Sequence, residues 1–318
     1  MSELAVIGAG SWGTALAIVL SPRFERVALW THESGTYLPG FRIPANVRAS
    51  TDLETVLKGA RIVLGVMPSR FARPVYIAMR PHVNAGMHFI SATKGLESGT
   101  LLRMSEVIQD VMAFSPRIAV LSGPTFAREV ASGAPTAVVI SSSDASLALE
   151  LQTQLATPSF RLYRNHDPVG VEVGAALKNV IAIAAGICQG LGLGNNSVAA
   201  LITRGLAEIT RLAVALGGDP RTLAGLAGLG DLVLTCTGEL SRNRGIGMEL
   251  ARGRRIGEIT GSMKMIAEGV ETTAAAVQLA ARACVEMPIT QQMNAILEGD
   301  CSPREAIREL MERSLKHE

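Results

Sequence analysis

Aromatic residues are scarce in this chain, at 4% of 318 residues. A core built without rings must bring backbones close together, and the chain is correspondingly rich in glycine and alanine, with 32 glycines. Cysteine is also rare. The four present, Cys188, Cys236, Cys284 and Cys301, form no CxxC pair. Their apolar or helical contexts read as buried free thiols in a reducing compartment. The five histidines are scattered and make no metal-ligand pattern, so no metal is expected. An excess of charge of one sign is missing too. The net charge is +2 with no basic run, which gives no support to nucleic-acid or membrane-surface binding. No charged segment precedes an apolar one at the N-terminus, so no signal peptide is expected. The longest apolar stretch, after Val169, is broken by Glu172, Lys178, Asn179 and several glycines, which argues against membrane insertion.

What is present is a globular composition, 48% hydrophobic and 18% charged, long enough for two domains. Up to about residue 164, short β-branched runs ("LAVIG", "RVALW", "RIVLGV", "HFISA", "RIAVLSG", "TAVVIS", "FRLYR") alternate with helical patterns at 12–20, 53–58, 69–79, 101–113 and 145–155. Such alternation predicts an α/β fold, a doubly wound, mostly parallel Rossmann-like sheet wrapped by helices. Beyond Asp167 only helical patterns remain, at 169–189, 197–216, 221–226, 243–252, 272–283, 289–298 and 303–315. The break at 165–168 divides the chain into a dinucleotide-binding domain, 1–166, and an all-α substrate domain, 167–318.

Gly8, Gly10 and Gly13 stand in G-x-G-x-x-G spacing between the first strand and the first helix. The first permits a tight turn, the second admits a pyrophosphate to the backbone, and the third lets helix and strand pack closely. The helix start adds free N–H groups and a positive dipole end. The residue that reads the ribose belongs at the end of the second strand, where His32 and Glu33 follow Trp30 and Thr31. A carboxylate there favours NAD and a cation tolerates the 2′-phosphate of NADP, so both NAD(H) and NADP(H) stay open.

Lys94 in "SATKGLESGT" and Gly123 and Thr125 in "LSGPTFAREV" lie after strands, where open α/β sheets bind ligands. Gly123 allows close backbone approach, and Thr125 is placed to cap the next helix. Taken singly, each is also compatible with an ordinary strand-to-helix turn. In "AGLGDLVLTCTGELSRNRGIG", Ser241, Arg242 and Asn243 form a capping-type helix start suited to a phosphate monoester. Lys178 sits in "GAALKNVIAIAAG" on a face shared with Gly174, Ala175, Ile181 and Ala182, with no carboxylate among them. The small neighbours leave room for a substrate. An apolar setting lowers a lysine pKa toward the range of a proton carrier, with Asp231 and Lys94 as electrostatic partners. Snorkelling to water, or a pairing with Asp231 or Glu172, is the plain alternative. Arg204, Glu208 and Arg211 read as a charged structural ladder along one helix.

"GAGSWGTALA", "ATKGLE", "SGPTFAREVASGAPTA", "KNVIAIAAG", "ALITRGLAEITRL", "AGLGDLVLTCTGELSRNRGIG", "AEGVETT" and "EMPIT" together resemble NAD(P)-dependent glycerol-3-phosphate dehydrogenase of the bacterial type, nearly end to end. The resemblance implies interconversion of sn-glycerol 3-phosphate and dihydroxyacetone phosphate with a nicotinamide cofactor. It also implies supply of glycerol 3-phosphate to phospholipid synthesis, a cytoplasmic setting and a homodimer. It places Gly8, Gly10, Ser11, Trp12, Gly13, His32, Lys94, Ala127, Arg242, Ile266 and Glu268 at the dinucleotide. It places Lys94, Gly123, Thr125, Lys178, Asp231, Thr235, Ser241, Arg242 and Asn243 around a small phosphorylated substrate. Lys178, with Lys94 and Asp231, would be catalytic. One segment departs from the family: only "THESG" separates "ALW" from "TYLPG", so the helix expected after the second strand is missing or cut short. The alternative enzyme is a β-hydroxyacid or 6-phosphogluconate dehydrogenase relative, whose Gly-x-x-x-Lys-x-x-x-Asn pattern fails here at Ala182. A non-enzymatic dinucleotide sensor would not need Lys178, Asp231 and Lys94 together.

Overall fold

A computed structural model describes residues 3–32, 38–261 and 268–315. Glu33 and Ile266 lie outside the described residues.

Eight strands form one sheet: β1 (Glu3–Ile7), β2 (Val27–Trp30), β3 (Val47–Ser50), β4 (Ala60–Gly65), β5 (His88–Ser91), β6 (Arg117–Ser122), β7 (Thr136–Ser141) and β8 (Phe160–Asn165). Their order is β3-β2-β1-β4-β5-β6-β7-β8. Every neighbouring pair is parallel except β6–β7, which is antiparallel. Six of these strands carry the apolar runs expected of a sheet covered on both faces, and the edge strand β8 alternates buried Phe160 and Leu162 with exposed Arg161 and Tyr163. β3 does neither. Only Val47 of its four residues is buried, as suits an edge strand, so its sequence carries almost no hydrophobic signal. Residues alternate between two cores. Ile62, Leu64 and Ile90 pack on the side of the helix Ser11–Leu20, and Val63 and Phe89 pack against Tyr76 and Met79. Each such fully buried side chain contributes about 1.5–3 kcal/mol. Strand order reverses between β1 and β4, which opens a crevice at their carboxyl ends.

From Pro168 on the described chain is helical. The helix Pro168–Gly190 begins at Asp167, whose carboxylate accepts the Gly170 N–H, with Pro168 in the first turn. It is buried from Gly170 to Cys188 on every side, as a helix apolar all round must be. Among the described residues it is the one helix long and apolar enough to cross a membrane, and here it is the centre of the helical domain. Small residues set its contacts. A Cβ on Gly186 would lie 2.0 Å from the Arg244 carbonyl oxygen, and one on Gly247 would lie 1.9 Å from that of Ile183. The helices Pro168–Gly190 and Arg242–Ala251 therefore meet backbone to backbone.

Two expectations need correction. Glu208 is not part of a ladder: its buried carboxylate turns inward and accepts the N–H groups of Ile289 (2.7 Å) and Thr290 (3.2 Å) and the Thr290 hydroxyl (3.1 Å). It closes the N-terminus of the helix Pro288–Glu298, which starts at a proline and has no side-chain cap of its own. The four thiols are free, but only Cys188 and Cys236 are buried, and Cys284 is exposed.

Candidate active site

The glycine turn after β1 does three separate things. Gly8 has φ +117, and a Cβ there would stand 2.8 Å from the Val66 carbonyl oxygen. A Cβ on Gly13 would stand 1.8 Å from the Gly8 oxygen, so this glycine lets the helix sit on the turn. A Cβ on Gly10 would meet nothing within 4 Å, so the backbone there faces open space at the crevice. Gly10 caps the helix Ser11–Leu20 without a side-chain hydrogen bond, leaving the dipole end to a ligand. The indole N–H of Trp12 is buried without a partner. These residues fit a pyrophosphate-bearing dinucleotide. Trp12 and Ala127, the first residue of the helix Ala127–Ala131, pack against the same core. His32 stands apart at the end of β2, exposed, its ring stacked on Trp30 at 6.4 Å between centroids.

Across the crevice, Lys94 leaves the end of β5 and its ammonium donates to three acceptors. These are the Gly123 carbonyl (3.1 Å), the Thr125 hydroxyl (3.1 Å) and Asp231 Oδ2 (2.8 Å). Thr125 therefore does not cap the following helix, where Phe126 holds the cap position without a side-chain bond. Lys178 is paired rather than alone. Its Nζ donates to Asp231 Oδ1 (2.5 Å) and to Thr235 Oγ1 (2.8 Å). The Thr235 hydroxyl gives its own proton to the Asp231 carbonyl (2.6 Å), so toward Lys178 it is an acceptor. Glu172, the other partner considered, bonds Arg103 and Ser105 instead.

Asp231 is fully buried between two ammonium groups, so the cluster carries one excess positive charge. Burial lowers the Lys178 pKa to about 8; the Lys94 charge adds to that shift and Asp231 opposes it. The neighbouring Cys236 thiol is pushed up to about 12 by burial and stays protonated.

The small face around Lys178 does not leave the expected room. Ala175 and Ala182 are 2% and 0% exposed, and Gly174 lies against the Ala227 carbonyl. The missing side chain of Gly174 admits the π-type turn Leu226–Gly230, which runs directly into the helix Asp231–Thr237. Such turns concentrate at functional positions.

Ser241 caps the helix Arg242–Ala251, its hydroxyl accepting the Arg244 N–H (3.3 Å). Asn243 accepts the Gly269 N–H (3.2 Å), joining this helix start to the first turn of Glu268–Arg282. Glu268 has its carboxyl raised to about 7 by burial, against the pull of Arg242, Lys94 and Lys178. Lys94, Gly123, Thr125, Lys178, Asp231 and Thr235 are thus joined by direct hydrogen bonds, with Ser241, Arg242, Asn243 and Glu268 beside them. Sequence reasoning passed over Met67–Ser69, at the carboxyl end of β4. There Thr93 donates to the Met67 carbonyl (2.7 Å), and a Cβ on Gly95 would meet the Ser69 hydroxyl at 2.7 Å. Its place beside the strand reversal was the available signal.

A G-x-G-x-x-G turn at the strand reversal of a doubly wound sheet, joined to a helical domain that holds a buried Lys–Asp–Lys cluster, is the plan of a dinucleotide-dependent dehydrogenase. Residues 3–148 match the N-terminus, and residues 167–308 the C-terminus, of NAD-dependent glycerol-3-phosphate dehydrogenase; the chain belongs to that family. It is 57% identical to glycerol-3-phosphate dehydrogenase (NAD(P)+) of Koribacter versatilis, over 98% of both chains. The crystal structure of glycerol-3-phosphate dehydrogenase from Coxiella burnetii is 42% identical with a TM-score of 0.93, covering 98% of this chain and 99% of that one. A ketopantoate reductase from Ralstonia eutropha, 17% identical with a TM-score of 0.61 over 96% of this chain and 99% of that one, shares the fold. The β-hydroxyacid alternative is thereby set aside.

Proposed function

We propose that this chain interconverts sn-glycerol 3-phosphate and dihydroxyacetone phosphate with NAD(P)(H), using Lys178 as the proton carrier. The observation that carries the reading is the Asp231 carboxylate held between Lys94 and Lys178 beside the nucleotide crevice. The nicotinamide cofactor, when bound, supplies or accepts the hydride. The oxygen that gains or loses negative charge needs a proton partner, and Lys178 is that partner in both directions. As an ammonium it donates to the carbonyl oxygen during reduction; as an amine it takes the hydroxyl proton during oxidation. Asp231 and Thr235 fix its nitrogen by two bonds, so the third N–H of the ammonium, or the lone pair of the amine, is the one that would meet the substrate. Lys94 adds a second positive charge at the oxygen.

The phosphate belongs at the start of the helix Arg242–Ala251, where the dipole end, Arg242 and Asn243 converge. Glycerol 3-phosphate made here would feed phospholipid synthesis. We also assign the division between domains to residue 166, a homodimeric state and a cytoplasmic setting, supported by the family resemblance and the thiol-bearing composition. Loss of NADH or NADPH absorbance on adding dihydroxyacetone phosphate tests the reading; no loss with either cofactor would reject it.

A further inference from the structure

Between Lys94 and the helix Met104–Val111 the chain makes a closed turn. Leu96 and Arg103 pair as an antiparallel bridge. The Glu97 N–H donates to the Leu102 carbonyl (2.9 Å), and the Leu101 N–H to that of Glu97 (3.0 Å). Leu101 sits at φ +64, a left-handed conformation disfavoured for a side chain of this kind. Packing compensates. Leu96 belongs to the core of the helical domain, and Leu101 packs against that core. A loop of the sheet domain is thus plugged into its neighbour. Two charged contacts flank the plug. At one end stands Lys94–Asp231. At the other, the buried carboxylate of Glu172 accepts Arg103 Nη1 (2.7 Å), the Ser105 hydroxyl (2.6 Å) and the Ser105 N–H (2.8 Å). Glu172 has no part in the chemistry above.

We propose that Glu172 is a positioning residue for Lys94: through Arg103 and the Arg103–Leu96 bridge it fixes the loop from which Lys94 reaches Asp231. This rests on the dehydrogenase reading of the site. Lys178 faces Lys94, Asp231, Cys236 and Glu268, and Glu172 faces Arg103 and Tyr76. If the loop loosens, Lys94 draws back. Its repulsion of the Lys178 ammonium is lost, and Asp231 is left to Lys178 alone. Both changes stabilise the charged form, so Lys178 gives up its proton at higher pH.

The test is the pH dependence of glycerol 3-phosphate oxidation by the wild type, Glu172→Gln, Ser105→Ala, Lys94→Ala and the Glu172→Gln/Lys94→Ala double variant. The rate rises as Lys178 becomes neutral. Glu172→Gln should move the midpoint upward by at least about 0.5 pH, a threefold change in the neutral fraction. It should cut kcat about 3–10-fold and leave the KM for cofactor unchanged. Ser105→Ala, which keeps the ion pair, should act in the same direction more weakly. In the Lys94→Ala background the Glu172 change should add no shift, because the group it positions is gone. An unmoved midpoint in Glu172→Gln, or equal shifts in both backgrounds, overturns the proposal. If Glu172→Gln does not fold, an unmoved midpoint in Ser105→Ala does the same. An inactive wild type overturns the dehydrogenase reading and the proposal with it; an active wild type with unmoved variants overturns the proposal alone.

Discussion

Gly174 lies against the carbonyl of Ala227, so close that a Cβ on the glycine would stand 3.0 Å from that oxygen. The helix that carries Lys178 and the turn that delivers Asp231 are therefore in backbone contact. The same Cβ would lie 3.1 Å from Leu223 Cδ1, so the turn cannot yield sideways without disturbing the core. Gly174→Val should push the turn outward, at an overpacking cost of about 1–3 kcal/mol, and draw Asp231 away from Lys178. Turnover should fall at least about tenfold, beyond what loss of folded protein explains. Thermal unfolding and kcat on the folded fraction check this; normal kcat would mean that the contact does not place Asp231.

Lys178→Ala should lower turnover by at least about 10²-fold while cofactor still binds, since a general acid–base is lost. In the wild type the sign with pH is fixed by the direction of reaction. Lys178, with its pKa near 8, is charged below that pH and neutral above it. Reduction of the ketone needs the charged form and should decline through this range, whereas oxidation of the alcohol should rise. Parallel pH profiles in the two directions, or wild-type turnover in the variant, would reject the role.

Substrate choice should follow the helix start at Ser241. Dihydroxyacetone without its phosphate should react worse by several orders of magnitude, because the binding energy a phosphate would gain at Arg242 and the helix start is lost to it. Arg242→Ala should narrow that gap, chiefly through the phosphorylated substrate. Comparable kcat/KM for the two compounds in the wild type would show that no phosphate clamp operates.

Glu208 offers a control outside the hydrogen-bonded cluster around Asp231. Removing its carboxylate leaves the N–H groups of Ile289 and Thr290 and the Thr290 hydroxyl without their acceptor. Glu208→Ala should cost about 1–3 kcal/mol of stability or more, with kcat unchanged on the folded fraction. A Tm equal to the wild type would contradict the capping role.

Cofactor choice turns on His32, whose ring lies exposed on Trp30. Both cofactors should work, with NADPH preferred by less than about 100-fold, or under 3 kcal/mol. His32→Ala should reduce kcat/KM for NADPH more than for NADH. Equal losses would show that His32 does not read the 2′-phosphate.

Much of this plan is legible in the sequence. Strands buried on both faces announce themselves as apolar runs, and the glycine turn follows from backbone sterics alone. β3 was hidden because an edge strand with one buried residue has no periodicity to detect. The sequence offers Asp231 as a partner for Lys178 beside Lys94 and Glu172, but with the pair 53 residues apart no local pattern decides that Asp231 bonds both lysines at once. The inward turn of Glu208 was missed because helix spacing shows which residues share a face, not which way a carboxylate bends. Small residues around Lys178 suggest space for a substrate, whereas the fold uses Gly174 to admit a neighbouring backbone.

The contact between Gly186 and the strip of backbone around Gly247 has a metric consequence. At Gly186 and Gly247 the helices Pro168–Gly190 and Arg242–Ala251 touch backbone to backbone, which ties the proposed phosphate seat firmly to the element that carries Lys178. Both belong to one stiff unit, so the span between them behaves as a ruler. A phosphorylated ketone one carbon longer, seated by its phosphate, would carry its carbonyl past Lys178 rather than stretch the site to fit.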